Sequence, residues 1–107
     1  MTYAALRSLG LAVAATVLLG IASAGAEELK VTIDNFTFTP AELKVKVGDT
    51  VTWTNHDDIP HTVVSAGKYR SKTMDTDGTF SFTFTSTGDY KYFCSLHPHM
   101  TGMIKVE

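Results

Sequence analysis

The chain has 107 residues, with 9 basic and 11 acidic side chains, a net charge of −2 and 44% hydrophobic residues. Its basic residues are scattered from Lys30 to Lys105, with one loose group at Lys68, Arg70 and Lys72, which excludes the clustered basic face of a nucleic-acid binder. A single cysteine, Cys94, excludes a scaffold of internal disulfides.

The N-terminal stretch carries one charge, Arg7, followed by an apolar run from Leu9 to Ala22 and the small residues Ala24-Gly25-Ala26. This is the layout of a secretory signal peptide with an A-x-A cleavage site. The apolar run is shorter than the about 20 residues that a membrane span needs. The expectation is a cleaved segment over residues 1–26, helical in the precursor, and a mature domain over residues 27–107 that is exported to the periplasm and free of the membrane. Removing Arg7 takes the net charge to −3. A domain of 81 residues is one unit with a modest core.

The mature part reads as strands. Leu29, Val31 and Ile33 alternate with Lys30, Thr32 and Asp34. Leu43, Val45 and Val47 alternate with lysines, and Gly48-Asp49 then marks a turn into Val51 and Trp53. Phe80, Phe82 and Phe84 share one face, and Gly88-Asp89 leads into Tyr90, Tyr92 and Cys94. Ile104 and Val106 close the chain. Alternation with period two and β-branched or aromatic residues marks strands with one buried face. About seven such strands predict an all-β, antiparallel Greek-key sandwich. The polar stretch from Ser65 to Gly78 is expected to connect the two sheets, with one short strand inside it.

The chemistry concentrates in Cys94-Ser95-Leu96-His97-Pro98-His99-Met100. Strand parity turns the Cys94 thiol to one face. Pro98 forces a turn, and a turn can bring His97 and Met100 back over the sulfur. His61, directly after Pro60, is expected to open a strand His61-Thr62-Val63-Val64 at the same end of the sandwich. Each residue alone has a plainer reading: Cys94 as a small buried hydrophobe, His97 as a surface histidine, Met100 as core filler and His61 as a cap. Met103, at the start of the last strand, is read as core filler, and His56 and His99 as surface histidines. Together, His61, Cys94, His97 and Met100 offer one thiolate, two imidazoles and one thioether, the donor set of a mononuclear blue-copper site. A bound ion would also occupy the thiol, which an oxidising compartment otherwise exposes to modification.

These residues sit in a longer pattern. Phe38-x-Pro40, Gly48-Asp49-x-Val51-x-Trp53-x-Asn55, Pro60-His61 and Tyr92-x-Cys94-x-x-His97-Pro98-x-Met100 resemble the cupredoxins, the small blue copper proteins. The short spacing between His97 and Met100 is similar to that of the amicyanin-like members. The resemblance implies copper held by His61, Cys94 and His97 in a near-trigonal plane, with Met100 as a long axial ligand. It implies that Asn55 ties the two ligand loops together. His99 departs from the pattern, since amicyanin-like members typically have a large apolar residue there. The partners implied are transient redox proteins: a periplasmic dehydrogenase such as methylamine dehydrogenase on one side, and a c-type cytochrome or terminal reductase on the other. The expected working unit is a monomer that contacts partners through an apolar patch of Pro60, Pro98 and Met100. The expected function is periplasmic electron transfer without catalysis. Periplasmic copper storage or delivery is the alternative, and a Cys94–histidine hydrolase a third reading.

Overall fold

The structure, a computed structural model, describes residues 26–107. The expected signal peptide lies, apart from Ala26, outside the described residues. Nine strands follow in order: β1 (Glu28–Asp34), β2 (Thr37–Thr39), β3 (Glu42–Val45), β4 (Thr50–Asn55), β5 (Val64–Ser65), β6 (Tyr69–Arg70), β7 (Thr79–Thr83), β8 (Gly88–Cys94) and β9 (His97–Val106). They form one sheet in the order β2-β1-β4-β7 and a second in the order β3-β9-β8-β5-β6. Among the described residues there is no helix.

The all-β sandwich is as expected, but its sheets are mixed. β1 pairs with β4 in parallel, and so does β3 with β9. The chain changes sheet between β2 and β3 and returns between β3 and β4. A strand that re-enters a sheet this way can run alongside its neighbour in the same direction. Alternation reports which face a residue takes, not the direction of the partner strand.

The buried positions follow the alternation. Val31 and Ile33 of β1 and Val51 and Trp53 of β4 face Tyr92 and Cys94 of β8 and Ile104 and Val106 of β9 across one core. Each large apolar side chain fully buried here contributes ~1.5–3 kcal/mol. Trp53 is the hub. Its ring lies 5.4 Å from Tyr92, edge to face, and 5.7 Å from Tyr69 and from Phe80. Such contacts add ~0.5–1.5 kcal/mol beyond area. Gly102 faces Tyr92 across the β8–β9 ladder, and a Cβ there would run into the tyrosine ring.

The 65–78 connection is more structured than its polarity implies. It contributes Tyr69 and Met74 to the core. Ser71 is buried as well. Its amide donates to the Val63 carbonyl at 2.8 Å, and its Oγ accepts from the Val63 amide at 2.8 Å. Met103 departs from its expected role: it is half-buried and lines an outer groove with Tyr92, Phe93 and Gly102 rather than joining the core.

Candidate metal centre

β4 carries the core toward one end of the sandwich. Val51, Trp53 and Asn55 share its inward face, so the residue after Trp53 on that face is a fully buried amide. Asn55 fastens the segment that follows. Its Nδ2 donates to the carbonyls of Ile59 at 2.9 Å and Met74 at 3.0 Å, and its Oδ1 accepts from the Asp57 amide at 2.9 Å. This curls residues 55–61 so that His61 arrives at a fixed point. His61 does not open the strand expected of it. It forms an isolated bridge to Met74, with amide-to-carbonyl distances of 3.1 and 2.8 Å, and β5 begins only at Val64.

The second ligand segment is a hairpin. β8 ends at Cys94, Ser95 and Leu96 make the turn, and His97 opens β9 opposite Cys94. The next pair in the ladder is Phe93 with Thr101. Pro98, His99 and Met100 therefore form a bulge with no residues opposite. The expected turn at Pro98 is this bulge inside a strand pairing. A bulge frees backbone groups from the ladder and re-aims side chains, and it tolerates a proline without an N–H. Met100 thereby turns inward to 5% exposure while Pro98 and His99 stay exposed.

Cys94 and His61 are fully buried, and His97 is half-buried. The Cys94 Sγ lies 3.7 Å from His61 Nδ1 and 3.6 Å from His97 Nδ1, and one donor atom from each of the three residues falls within 4.8 Å of the others. A first-row ion with bonds of ~2.3 Å to sulfur and ~2.0 Å to nitrogen, at trigonal angles, separates those atoms by ~3.7 Å. The spacing therefore fits one ion between the three. Met100 is buried beside His97 and lines the same surface depression.

The sulfur is prepared for a metal. Burial pushes its thiol up, but the Thr62 amide at 3.3 Å, the His61 and His97 rings and the Thr62 hydroxyl outweigh this and bring it down to about 6. A thiol depressed in the fold favours folding above its ordinary value of 9.0, and that contribution disappears as pH falls through about 6. Metal-free protein should therefore gain stability as pH rises from 6 to 9. Urea unfolding at several pH values checks this, and Cys94→Ala should remove that part of the slope.

Thr62 also joins the two ligand segments. Its Oγ1 accepts from the Ser95 amide at 2.8 Å and lies 2.7 Å from the Ser95 hydroxyl. This corrects the role expected of Asn55. Asn55 braces the His61 segment against Met74 and makes no hydrogen bond to the Cys94 hairpin; the tie between the ligand segments is Thr62 with Ser95. Both Nδ2 protons of Asn55 are committed to Ile59 and Met74 and its Oδ1 takes the Asp57 amide, so the side chain serves its own segment.

Three further groups surround the centre. The Asp57 Oδ2 accepts from His61 Nε2 at 2.7 Å. Phe36 packs edge-on against His61 and His97, with ring centroids 5.6 and 5.0 Å away, while half its surface stays exposed. Leu96 is also 50% exposed and shares a depression with Phe36, His97, Pro98, His99 and Met100. Of the expected patch, Pro60 and Pro98 are exposed and Pro98 lines this depression, whereas Met100 lies beneath it, and Phe36 and Leu96 add the larger exposed apolar surface. His56 and His99 are exposed, as expected, and His56 stands 3.9 Å from Asp77. Thr62, Ser95 and Phe36 were missed as functional residues because their roles depend on contacts between segments far apart in sequence. Asp57 left one signal, a carboxylate at position i relative to a histidine at i+4.

Comparison with known proteins places these features in a family. The model of the cupredoxin-like domain family matches residues 7–106. The chain is 39% identical over 83 residues to amicyanin of Paracoccus denitrificans, a match covering 72% of this chain and 63% of that protein. It is 34% identical over 102 residues to amicyanin-alpha of Methylorubrum extorquens, covering 90% and 86%. A solved structure of an amicyanin variant in the Cu(I) form superposes with a TM-score of 0.72 at 36% identity, over 75% of this chain and 82% of that one. The donors His61, Cys94 and His97, with Met100 beside them, suit a type 1 copper site.

Proposed function

This chain belongs to the cupredoxin family, and from that premise we propose that it is a periplasmic electron carrier working with one copper ion. The observation that carries the proposal is the trio of donor atoms from His61, Cys94 and His97 within 4.8 Å, two of the residues fully buried and the third reaching the surface. When bound, copper supplies the one-electron couple.

The protein does the rest by holding still. His61 and Cys94 are the dry, anchored ligands. Asn55 fixes the first through the Met74 bridge, and Thr62 with Ser95 fixes the second. A site whose ligands are already in place before the electron arrives needs little reorganisation. His97 is the ligand whose ring meets solvent, under Phe36 and beside Leu96, so its edge is the route for the electron. An apolar contact around an exposed ligand edge suits the small, transient encounters of redox partners. The partners in this reading are a periplasmic dehydrogenase such as methylamine dehydrogenase, and a c-type cytochrome or terminal reductase. The site performs no catalysis, and the protein acts as a monomer. Residues 1–26 are the cleaved signal peptide that delivers the domain 27–107 to the periplasm. X-ray absorption at the copper edge tests the ligand set: one sulfur and two nitrogen neighbours at short distance in both redox states are expected, and a site without short sulfur would overturn it.

Met100, buried beside His97, would supply copper with a weak thioether donor. Met100→Leu conserves volume, so it should cost less than ~1.5 kcal/mol of stability and leave the protein blue. Losing a weak donor penalises Cu(II) more than Cu(I), so the potential should rise. Voltammetry checks this, with Met103→Leu as the control that should change little. An unchanged potential in Met100→Leu would make Met100 packing only.

A further inference from the structure

Resting on the copper reading above, we propose that Asp57 is a positioning residue, whose one carboxylate sets the orientation of His61 and also holds Phe36 over both imidazoles. His61 is fully buried, so both of its ring nitrogens need partners. Nδ1 faces the Cys94 sulfur at 3.7 Å. Nε2 points away from it, and 2.7 Å beyond lies Asp57 Oδ2. An ionised carboxylate only accepts, so the proton sits on Nε2 and the Nδ1 lone pair is left for the metal. The ring's plane and its tautomer are fixed by the same bond.

The carboxylate has a second task. Its Oδ1 accepts from the Asn35 amide at 2.6 Å, and its Oδ2 also accepts from the Phe36 amide at 3.0 Å. Asn35 and Phe36 both lie in the left-handed region, at φ of 51° and 56°. Asparagine visits that region readily, but a bulky aromatic there is an outlier that the surroundings must enforce. The hydrogen bonds that the Asn35 and Phe36 amides donate to the Asp57 carboxylate enforce it, and the result is Phe36 edge-on to His61 and His97. Asp57 is itself held on both sides. Its amide donates to Asn55 Oδ1 at 2.9 Å, and its carbonyl accepts from Thr76 Oγ1 at 2.6 Å.

A fixed negative charge hydrogen-bonded to a ligand raises that ligand's basicity and favours the more highly charged copper state. Asp57→Asn removes the charge and keeps the shape. The protein should stay blue, and its Cu(II) affinity should fall by about 10–100-fold, the usual loss on removing an outer partner of a ligand. Cu(I) affinity should fall less. A tenfold difference between the two states raises the potential by ~59 mV for one electron. Asp57→Glu, which retains the charge, should lie nearer the wild-type potential. Equal losses of Cu(II) and Cu(I) affinity with an unchanged potential would reduce Asp57 to a loop brace and overturn the proposal. A measurement on the unaltered Cu(I) protein guards against a variant that does not fold. Nitrogen NMR of the histidine rings should find a slowly exchanging proton on His61 Nε2, and a proton on Nδ1 there, or a rapidly exchanging Nε2 proton, would refute the assignment. If the unaltered protein is not blue with copper, the copper reading itself fails. If it is blue and Asp57→Asn leaves the potential unmoved, only the role of Asp57 fails.

Discussion

Serine in place of Cys94 is expected to give a colourless protein that binds Cu(I) far more weakly. The blue colour of such centres depends on the copper–thiolate bond, and a hydroxyl offers a hard oxygen that stays protonated where the thiol ionises at about 6. Losing an outer partner of a ligand costs about 10–100-fold in affinity, so losing the sulfur itself should cost more. The effect on folding should be small by comparison, because serine is close in size and the Thr62 amide and hydroxyl that now face the sulfur remain able to donate. Visible spectra and competition with a Cu(I) chelator measure both quantities. A variant that stays intensely blue would remove Cys94 from the ligand set.

Asn55→Ala should be the most damaging single change away from the ligands. The side chain is fully buried and makes three hydrogen bonds, to Ile59, Met74 and Asp57. Alanine leaves the Ile59 carbonyl and the Asp57 amide without that partner, while the Met74 carbonyl keeps the His61 amide, and a buried unsatisfied group costs ~1–3 kcal/mol. The expected loss is therefore ~2–6 kcal/mol, against a total of ~5–15 kcal/mol for a typical domain. Metal-free Asn55→Ala should be largely unfolded in mild urea, and added copper should restore much of its stability by binding only the folded form. Equilibrium unfolding with and without copper measures this. A loss below ~1 kcal/mol would mean that the Met74 bridge holds His61 without Asn55.

Strand faces were legible in the sequence because the side-chain period of a strand is fixed. Val31, Val51, Trp53, Tyr92, Cys94 and Ile104 all lie in the core that their alternation indicates. Strand direction was not legible, since a parallel and an antiparallel neighbour present the same alternation; hence the mixed sheets. Short strands were misjudged where a side chain had other work. His61-Thr62-Val63-Val64 reads as one strand, yet His61 pairs only with Met74. Thr62 uses its amide and hydroxyl on Cys94 and Ser95, so β5 shrinks to Val64–Ser65.

The candidate ligands were legible because few residue types bind copper and the chain has a single cysteine. The structure brings His61, Cys94 and His97 together and buries Met100 beside His97. What surrounds them was hidden for a different reason. Phe36 covers the imidazoles from a turn 25 residues before His61 and 61 before His97. Only the folded chain puts Ser95 against Thr62 or a carboxylate against the far side of the His61 ring. Met103 illustrates the limit of parity: it alternates with Ile104, so one of the two must face outward, and Ile104 takes the core.

Voltammetry of the metal-free domain titrated with copper tests the central claim most directly. One equivalent of copper should turn the protein intensely blue and produce a single reversible one-electron wave, with peak separation that stays small as the scan rate rises. Further copper should add nothing to either signal. Copper that binds without blue colour, or a wave that is irreversible while the metal passes readily to another protein, would contradict an electron carrier and indicate copper delivery instead.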